Sequence, residues 1–161
     1  MYNSISVGLG EEKISRLPTD VLVAYGLGSC LGIGMFDPIS RVAGLLHAVL
    51  PDPLNGSDPN NAKYVSYGIP ILIENLVKNG ADPRRLVIRM AGGANMLLSP
   101  GLSQTFDIGT RNIASALATF SRLRLKLVSQ DVGGNIGRTV RLYPANGRIT
   151  VRMIGGIEKD I

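Results

Sequence analysis

The sequence predicts an α+β fold, with β-sheet layered against two main helices. Three observations lead there. Short runs rich in Val, Ile, Leu and Thr, such as Val21 to Tyr25 and Thr139 to Tyr143, are separated by Gly, Pro, Asn and Asp turn chemistry. Two longer segments carry apolar residues at helical spacing. The order is several strands, helix, strand, helix and then three strands, without the repeated βαβ alternation of a doubly wound sheet.

Each element has its own signal. Ser4 to Gly8 alternates weakly and predicts a first strand. Val21 to Tyr25 is a short apolar run, the mark of a buried strand. Cys30 to Phe36 alternates around small residues and predicts the next strand. Asp37-Pro38-Ile39-Ser40 is turn chemistry. Val42 to Leu50 is apolar and stops at Pro51, so it pairs with the preceding run as a β-hairpin. Asp52 to Asn61 has the composition of a surface loop. Lys63 to Asn79 carries Val65, Ile69, Leu72, Ile73, Leu76 and Val77 at helical spacing, with Gly80 as the stop. Pro70 inside it predicts a kink or a late start. Leu86 to Met90 is a strand running into Gly92-Gly93. Ile108 to Leu123 is a second helix with Ile113, Ala116, Leu117 and Phe120 as its apolar positions. Leu125 to Ser129 is a strand followed by the Gly133-Gly134 turn. Thr139 to Tyr143 and Ile149 to Ile154 flank Asn146-Gly147, a strong hairpin signal.

Composition narrows the function. The 161 residues suit one domain, taken as 1–161. One cysteine cannot form an internal disulfide, and one Cys with one His falls short of the four ligands of a zinc site. The N-terminal MYNSISVGLGEEK has no basic region followed by an apolar stretch, so no signal peptide is expected. No apolar run reaches the roughly 20 residues that span a bilayer. A cytoplasmic protein without membrane insertion is expected. The net charge of +5 favours acidic partners. The arginines are scattered and lack aromatic interleaving, which argues against nucleic acid as a partner. Gly32 to Asp37, GIGMFD, lacks the third glycine of a dinucleotide fingerprint and does not open a helix.

The chemistry concentrates on Cys30 and His47. A free cysteine is usually a small buried hydrophobe, and a lone histidine is usually structural. Their surroundings point elsewhere. Cys30 follows Gly26-Leu27-Gly28-Ser29, where glycines allow a sharp turn and bring backbone N–H groups, those of Gly28 and Ser29 among them, near the thiol. Such donors suit the oxyanion formed when a nucleophile attacks a carbonyl. A four-residue hairpin loop over Asp37 to Ser40 pairs Phe36 with Arg41 and sets Cys30 opposite His47; a five-residue loop shifts this by one. Directly opposed residues have Cβ atoms roughly 4.5–5.5 Å apart. A thiolate–imidazolium pair at that range lowers the cysteine pKa and activates the nucleophile.

Six ordered stretches carry a family resemblance. They are Gly26 to Cys30, His47 to Pro51, Lys63-Tyr64, Ala91 to Met96, Ile108 to Asn112 and Asp131 to Arg138. Over nearly the whole chain they resemble the CheD family, the chemoreceptor glutamine deamidases of chemotaxis. The resemblance implies a layered α/β sandwich shared with other cysteine deamidases. It implies hydrolysis of selected glutamine side chains on the cytoplasmic domain of a chemoreceptor (a methyl-accepting chemotaxis protein), giving glutamate and ammonia. Cys30 matches the family nucleophile and His47 the general base, working through a thioester, with no metal or organic cofactor. A CheC-type phosphatase is an implied partner.

One position departs from the family pattern. Six residues before the cysteine the family usually has threonine as the third catalytic member, and here Ala24 stands there. A backbone carbonyl can orient the imidazole instead; Thr19 and Tyr25 are further alternatives. The departure keeps two rivals in view. One is a weakly active or inactive regulatory binding protein acting on a CheC-type phosphatase. The other is a thiol-dependent hydrolase of small amides or receptor methyl esters. For Gly92-Gly93 and Gly133-Gly134, turns that shape the site are expected; for Arg111 and Arg138, loop-holding roles or contact with an acidic partner.

Overall fold

A computed structural model describes residues 1–54, 58–96 and 107–161. The elements are β1 (Asn3–Ser6), β2 (Glu12–Ser15), β3 (Asp20–Leu27), β4 (Leu31–Asp37), β5 (Val42–Ala48), α1 (Val65–Lys78), a 3₁₀ turn (Pro83–Arg85), β6 (Val87–Gly92), α2 (Ile108–Arg122), β7 (Leu127–Val132), β8 (Arg138–Tyr143), β9 (Arg148–Met153) and β10 (Glu158–Asp160). They form two five-stranded sheets, ordered β1-β3-β8-β9-β10 and β2-β5-β4-β6-β7. Both are mixed: β1/β3 and β6/β7 pair parallel, and the other pairs are antiparallel. This is the expected α+β layered architecture, with two main helices.

The alternation of side chains along β4 and β5 sets the layers. Leu31, Ile33 and Met35 of β4 and Val42, Leu46 and Ala48 of β5 join Ile69, Leu72 and Leu76 of α1 and Ala116 and Phe120 of α2 in one core. On the opposite face, Phe36, Ala43 and Leu45 pack with Leu22, Leu27, Val140, Leu142 and Ile149 of the other sheet. The order is therefore helices, sheet, sheet. Burying both faces of β5 explains why it reads as a continuous apolar run, while β4 alternates with the small residues Gly32 and Gly34 on the side of the other sheet.

The expected surface loop over Asp52 to Asn61 has its residues 55–57 outside the described residues. Helix α1 starts at Val65, with Tyr64 as its N-cap residue, and runs through Pro70. The buried face of α2 differs from the expected stripe. It holds Gly109, Asn112, Ser115, Ala116, Thr119 and Phe120, while Leu117 is exposed. Two strands, β2 and β10, have no sequence signal, being four and three residues long with charged side chains. Both lie at sheet edges, where Lys13 and Lys159 discourage further pairing.

Candidate active site

The β4–β5 hairpin forms as expected, but its register is shifted by two residues. Asp37 pairs with Val42, Phe36 with Ala43, and Gly32 rather than Cys30 with His47. The four-residue loop is Pro38 to Arg41, one place later than expected. Asp37 explains the shift. Its carboxylate accepts from the N–H groups of Ile39, Ser40 and Asp82 and takes a two-pronged contact from Arg85 at 2.8–3.1 Å. These bonds fix Asp37 as the last residue of β4, so the turn begins after it. Burial pushes the Asp37 carboxyl up, yet Arg85 and the three N–H donors together hold it well below the usual carboxylate range.

Cys30 itself precedes β4, one residue beyond the last pair, Leu31 with Ala48. It packs against the core between the sheets. Within the strands, Gly32 and His47 occupy that same side. Cys30 is therefore a diagonal rather than a direct neighbour of His47, a relation typically about 7–8 Å between Cα atoms. Gly32 presents no side chain opposite the imidazole. Burial raises the Cys30 thiol pKa, and its own backbone N–H pulls it partly back down. The expected lowering of the resting thiol is thus corrected: desolvation disfavours the thiolate.

His47 is 4% exposed. Its Nδ1 lies 2.9 Å from the carbonyl oxygen of Val7, just past the end of β1. A carbonyl only accepts, so Nδ1 carries a proton in this bond. Nε2 is buried and, among the described residues, has no hydrogen-bond partner. The surrounding chain fixes this arrangement: the His47 N–H donates to Glu11 O and its carbonyl accepts from Gly10 N–H, both at 2.9 Å, while Val7 N–H donates to Val23 O at 2.8 Å. Ala24 is buried and supplies no hydroxyl. Tyr25 is half exposed under the Arg141 guanidinium. Thr19 lies just before β3, its carbonyl accepting from Asn3. A backbone carbonyl holds the ring, and sequence reading could not identify which one, because a carbonyl leaves no trace in residue type.

The loop that carries Cys30 is held through its carbonyls. Gly28 O accepts from Ala94 N–H and Cys30 O from Gly93 N–H, both at 2.9 Å. Ser29 O accepts from the Asn112 side chain at 2.8 Å. Among the described residues, the N–H groups of Gly28, Ser29 and Cys30 donate no loop hydrogen bond to another backbone carbonyl. The left-handed residue before the cysteine is Gly26, at φ 60°, where β3 slips register against β8. Gly92, at φ 112°, lets β6 pass close to the loop; a Cβ there would stand 2.2 Å from Cys30 O.

Arg138 joins the two glycine turns. It is buried and donates to Gly92 O and Gly133 O, each at 2.7 Å, with Asp131 at 3.6 Å. The Gly133 N–H returns to Gly92 O at 3.0 Å. Arg111 instead pairs with Asp107 on the surface of α2 at 3.2 Å. Among the described residues, no three His, Cys, Asp or Glu side chains converge as a metal-binding group. No described helix is long and apolar enough to cross a membrane.

Comparison with known proteins identifies the chain's relatives. A protein of Caldanaerobacter subterraneus subsp. tengcongensis, described as a probable chemoreceptor glutamine deamidase CheD, is 42% identical over 94% of this chain and 93% of its own. A protein of the same description from Symbiobacterium thermophilum is 40% identical over 97% of this chain and 96% of its own. Among solved structures, the Neisseria meningitidis protein NMB0706 aligns with 77% of this chain and 52% of its own at 13% identity and a TM-score of 0.41. The family model for CheD chemotactic sensory transduction matches residues 49–153 and so begins two residues after His47. Since the two relatives extend the likeness across the Cys30 loop and the His47 strand as well, the chain belongs to the CheD family.

Proposed function

We propose that this chain is a chemoreceptor glutamine deamidase, acting as one domain over 1–161 in the cytoplasm. It would hydrolyse the side-chain amide of selected receptor glutamines to glutamate and ammonia. The observation that carries the reading is His47: Nδ1–H is committed to Val7 O, which leaves a buried Nε2 lone pair, without a partner among the described residues, on the side of the sheet that Cys30 packs against. The shared family and the names of the relatives supply the substrate class.

The chemistry follows from that tautomer. Nε2 takes the proton of the Cys30 thiol as Sγ attacks the glutamine Cδ. The negative charge moves to the amide oxygen, where N–H groups of the Gly28–Cys30 turn, which among the described residues donate to no other backbone carbonyl, can donate. The C–N bond breaks as the imidazolium returns its proton to nitrogen, and ammonia leaves. Water then attacks the thioester and gives a proton to Nε2. The C–S bond breaks, Sγ recovers that proton, and glutamate departs. Because burial favours the neutral thiol, the nucleophile is generated during attack rather than stored as an ion pair.

The rival role, a regulatory binder of a CheC-type phosphatase, rested on Ala24. With Val7 O orienting the ring, a missing hydroxyl no longer argues for inactivity. Incubation with a purified receptor cytoplasmic fragment, followed by mass spectrometry of Gln-to-Glu conversion, decides between them. Conversion by wild type that vanishes in Cys30→Ala and His47→Ala is expected. Wild type and Cys30→Ala behaving alike, with phosphatase binding retained, would favour the binding protein.

A further inference from the structure

Asparagine is a modest helix former, because its side chain competes for backbone hydrogen bonds. Asn112 nevertheless sits in the first half of α2, on its buried face and fully excluded from solvent. Its neighbours on that face, Ala116 and Phe120, pack into the core. Its Nδ2 donates to two backbone carbonyls, Ser29 O at 2.8 Å and Val49 O at 3.0 Å. Both partners only accept, so the carboxamide must present its NH₂ group to them, and the alternative flip is excluded. Each N–H is used once. Oδ1 is buried and, among the described residues, has no partner. A buried orphan acceptor costs stability, because it gives up its water without gaining a donor. The fold tolerates that cost to keep two donors at this point.

The two carbonyls lie on either side of the chemistry. Ser29 immediately precedes the candidate nucleophile, in a turn outside any strand. Val49 is two residues past His47, where β5 has ended and its N–H turns away to Lys63 O. One side chain thus ties both segments together.

We propose that Asn112 is a positioning residue that fixes the Cys30 turn relative to the His47 strand, so that Nε2 and Sγ meet in line with the substrate amide. It touches neither reacting atom and acts through the two carbonyls. This rests on the deamidase reading above for its consequence in turnover, but the geometric part stands apart from it. Releasing Ser29 O frees the turn, exposes the thiol and removes the desolvation that disfavours the thiolate. A freed turn therefore alkylates faster while it deamidates more slowly. Opening of a destabilised fold also bares a thiol, so a control variant weakened at the same helix face separates that effect from release of the turn.

The test compares wild type with Asn112→Ala, the nearly isosteric Asn112→Asp and a control, Ala116→Gly, which weakens the same face of α2 without touching either carbonyl. Two quantities are measured below the melting temperature: receptor-fragment deamidation, and the rate of Cys30 alkylation by iodoacetamide. Both Asn112 variants are expected to lose roughly 10²-fold in kcat at unchanged KM, and to alkylate faster than wild type. The control is expected to match wild type in both. The proposal is overturned if alkylation in the Asn112 variants equals wild type, or if the control loses kcat in step with its stability. It is also overturned if neither Asn112 variant folds by circular dichroism, since the residue is then a folding element. Should wild type itself show no deamidation, the deamidase reading fails, and the alkylation comparison alone decides for or against the positioning role.

Discussion

At the scale of single residues, the site rests on one tautomer. His47 is the only histidine in the chain, so nitrogen-15 labelling of histidine gives a spectrum of one ring. A proton on Nδ1 and a bare Nε2 are expected at pH 8; an Nε2–H ring would contradict the bond to Val7 O. Cys30 gives a second prediction. Burial raises its pKa, so the alkylation rate of the free enzyme should climb with pH through a midpoint above that of an ordinary thiol, about 8.5. A midpoint below that value would show a stored thiolate. The sequence made both residues legible, because each is unique of its kind and the motifs around them are dense. It hid their helpers. Val7 acts through a carbonyl, and Asn112 stood inside a helix whose apolar positions drew attention to Ile113 and Leu117 instead. An asparagine one place off that stripe was the available signal.

At the scale of elements, the hairpin and its turn decide how the site is built. Asp37 is buried beneath Arg85 and caps the turn. Its folded pKa is depressed, so the unfolded chain binds a proton more readily at acid pH. The stability it contributes is present above its unfolded pKa of about 3.9 and is lost as pH falls below that. Asp37→Asn should therefore melt well below wild type at pH 7, with the gap narrowing in denaturation series taken below pH 4. A gap independent of pH would assign the loss to packing instead. Gly92 links β6 to the Cys30 turn. With φ at 112° and a Cβ position 2.2 Å from Cys30 O, Gly92→Ala should destabilise by more than about 1 kcal/mol and abolish deamidation; a variant of wild-type stability and activity would show that the turn has slack. The hairpins were legible because alternation and turn residues coincide there. The register was not, because the tie between Asp37 and Arg85 crosses from β4 to the 3₁₀ turn, and sequence spacing does not reveal it. Strands β2 and β10 were missed because edge strands this short carry charge rather than apolar alternation.

At the scale of the whole molecule, two sheets and one helical layer place the Cys30 turn at the edge of the inter-sheet core, with Gly32 opposite His47. The layered class was legible from the order of elements. The pairing of strands far apart in sequence, β3 with β8 and β4 with β6, was not, since local periodicity says nothing about partners. The net charge of +5 is also a property of the whole. If the receptor surface is acidic, kcat/KM should fall as salt rises while kcat stays constant, because screening slows encounter rather than chemistry; a salt-independent kcat/KM would remove charge from the account of recognition. The central claim is that Cys30 becomes acylated by a receptor glutamine. Acid-quenching a single turnover with the receptor fragment and mapping the covalent complex by mass spectrometry tests it most directly. A thioester joining Cys30 to the glutamine carbonyl carbon, with the mass of one ammonia lost, is expected in wild type and none in Cys30→Ala. Glutamine-to-glutamate conversion that proceeds undiminished in Cys30→Ala, with no adduct in wild type, would contradict it.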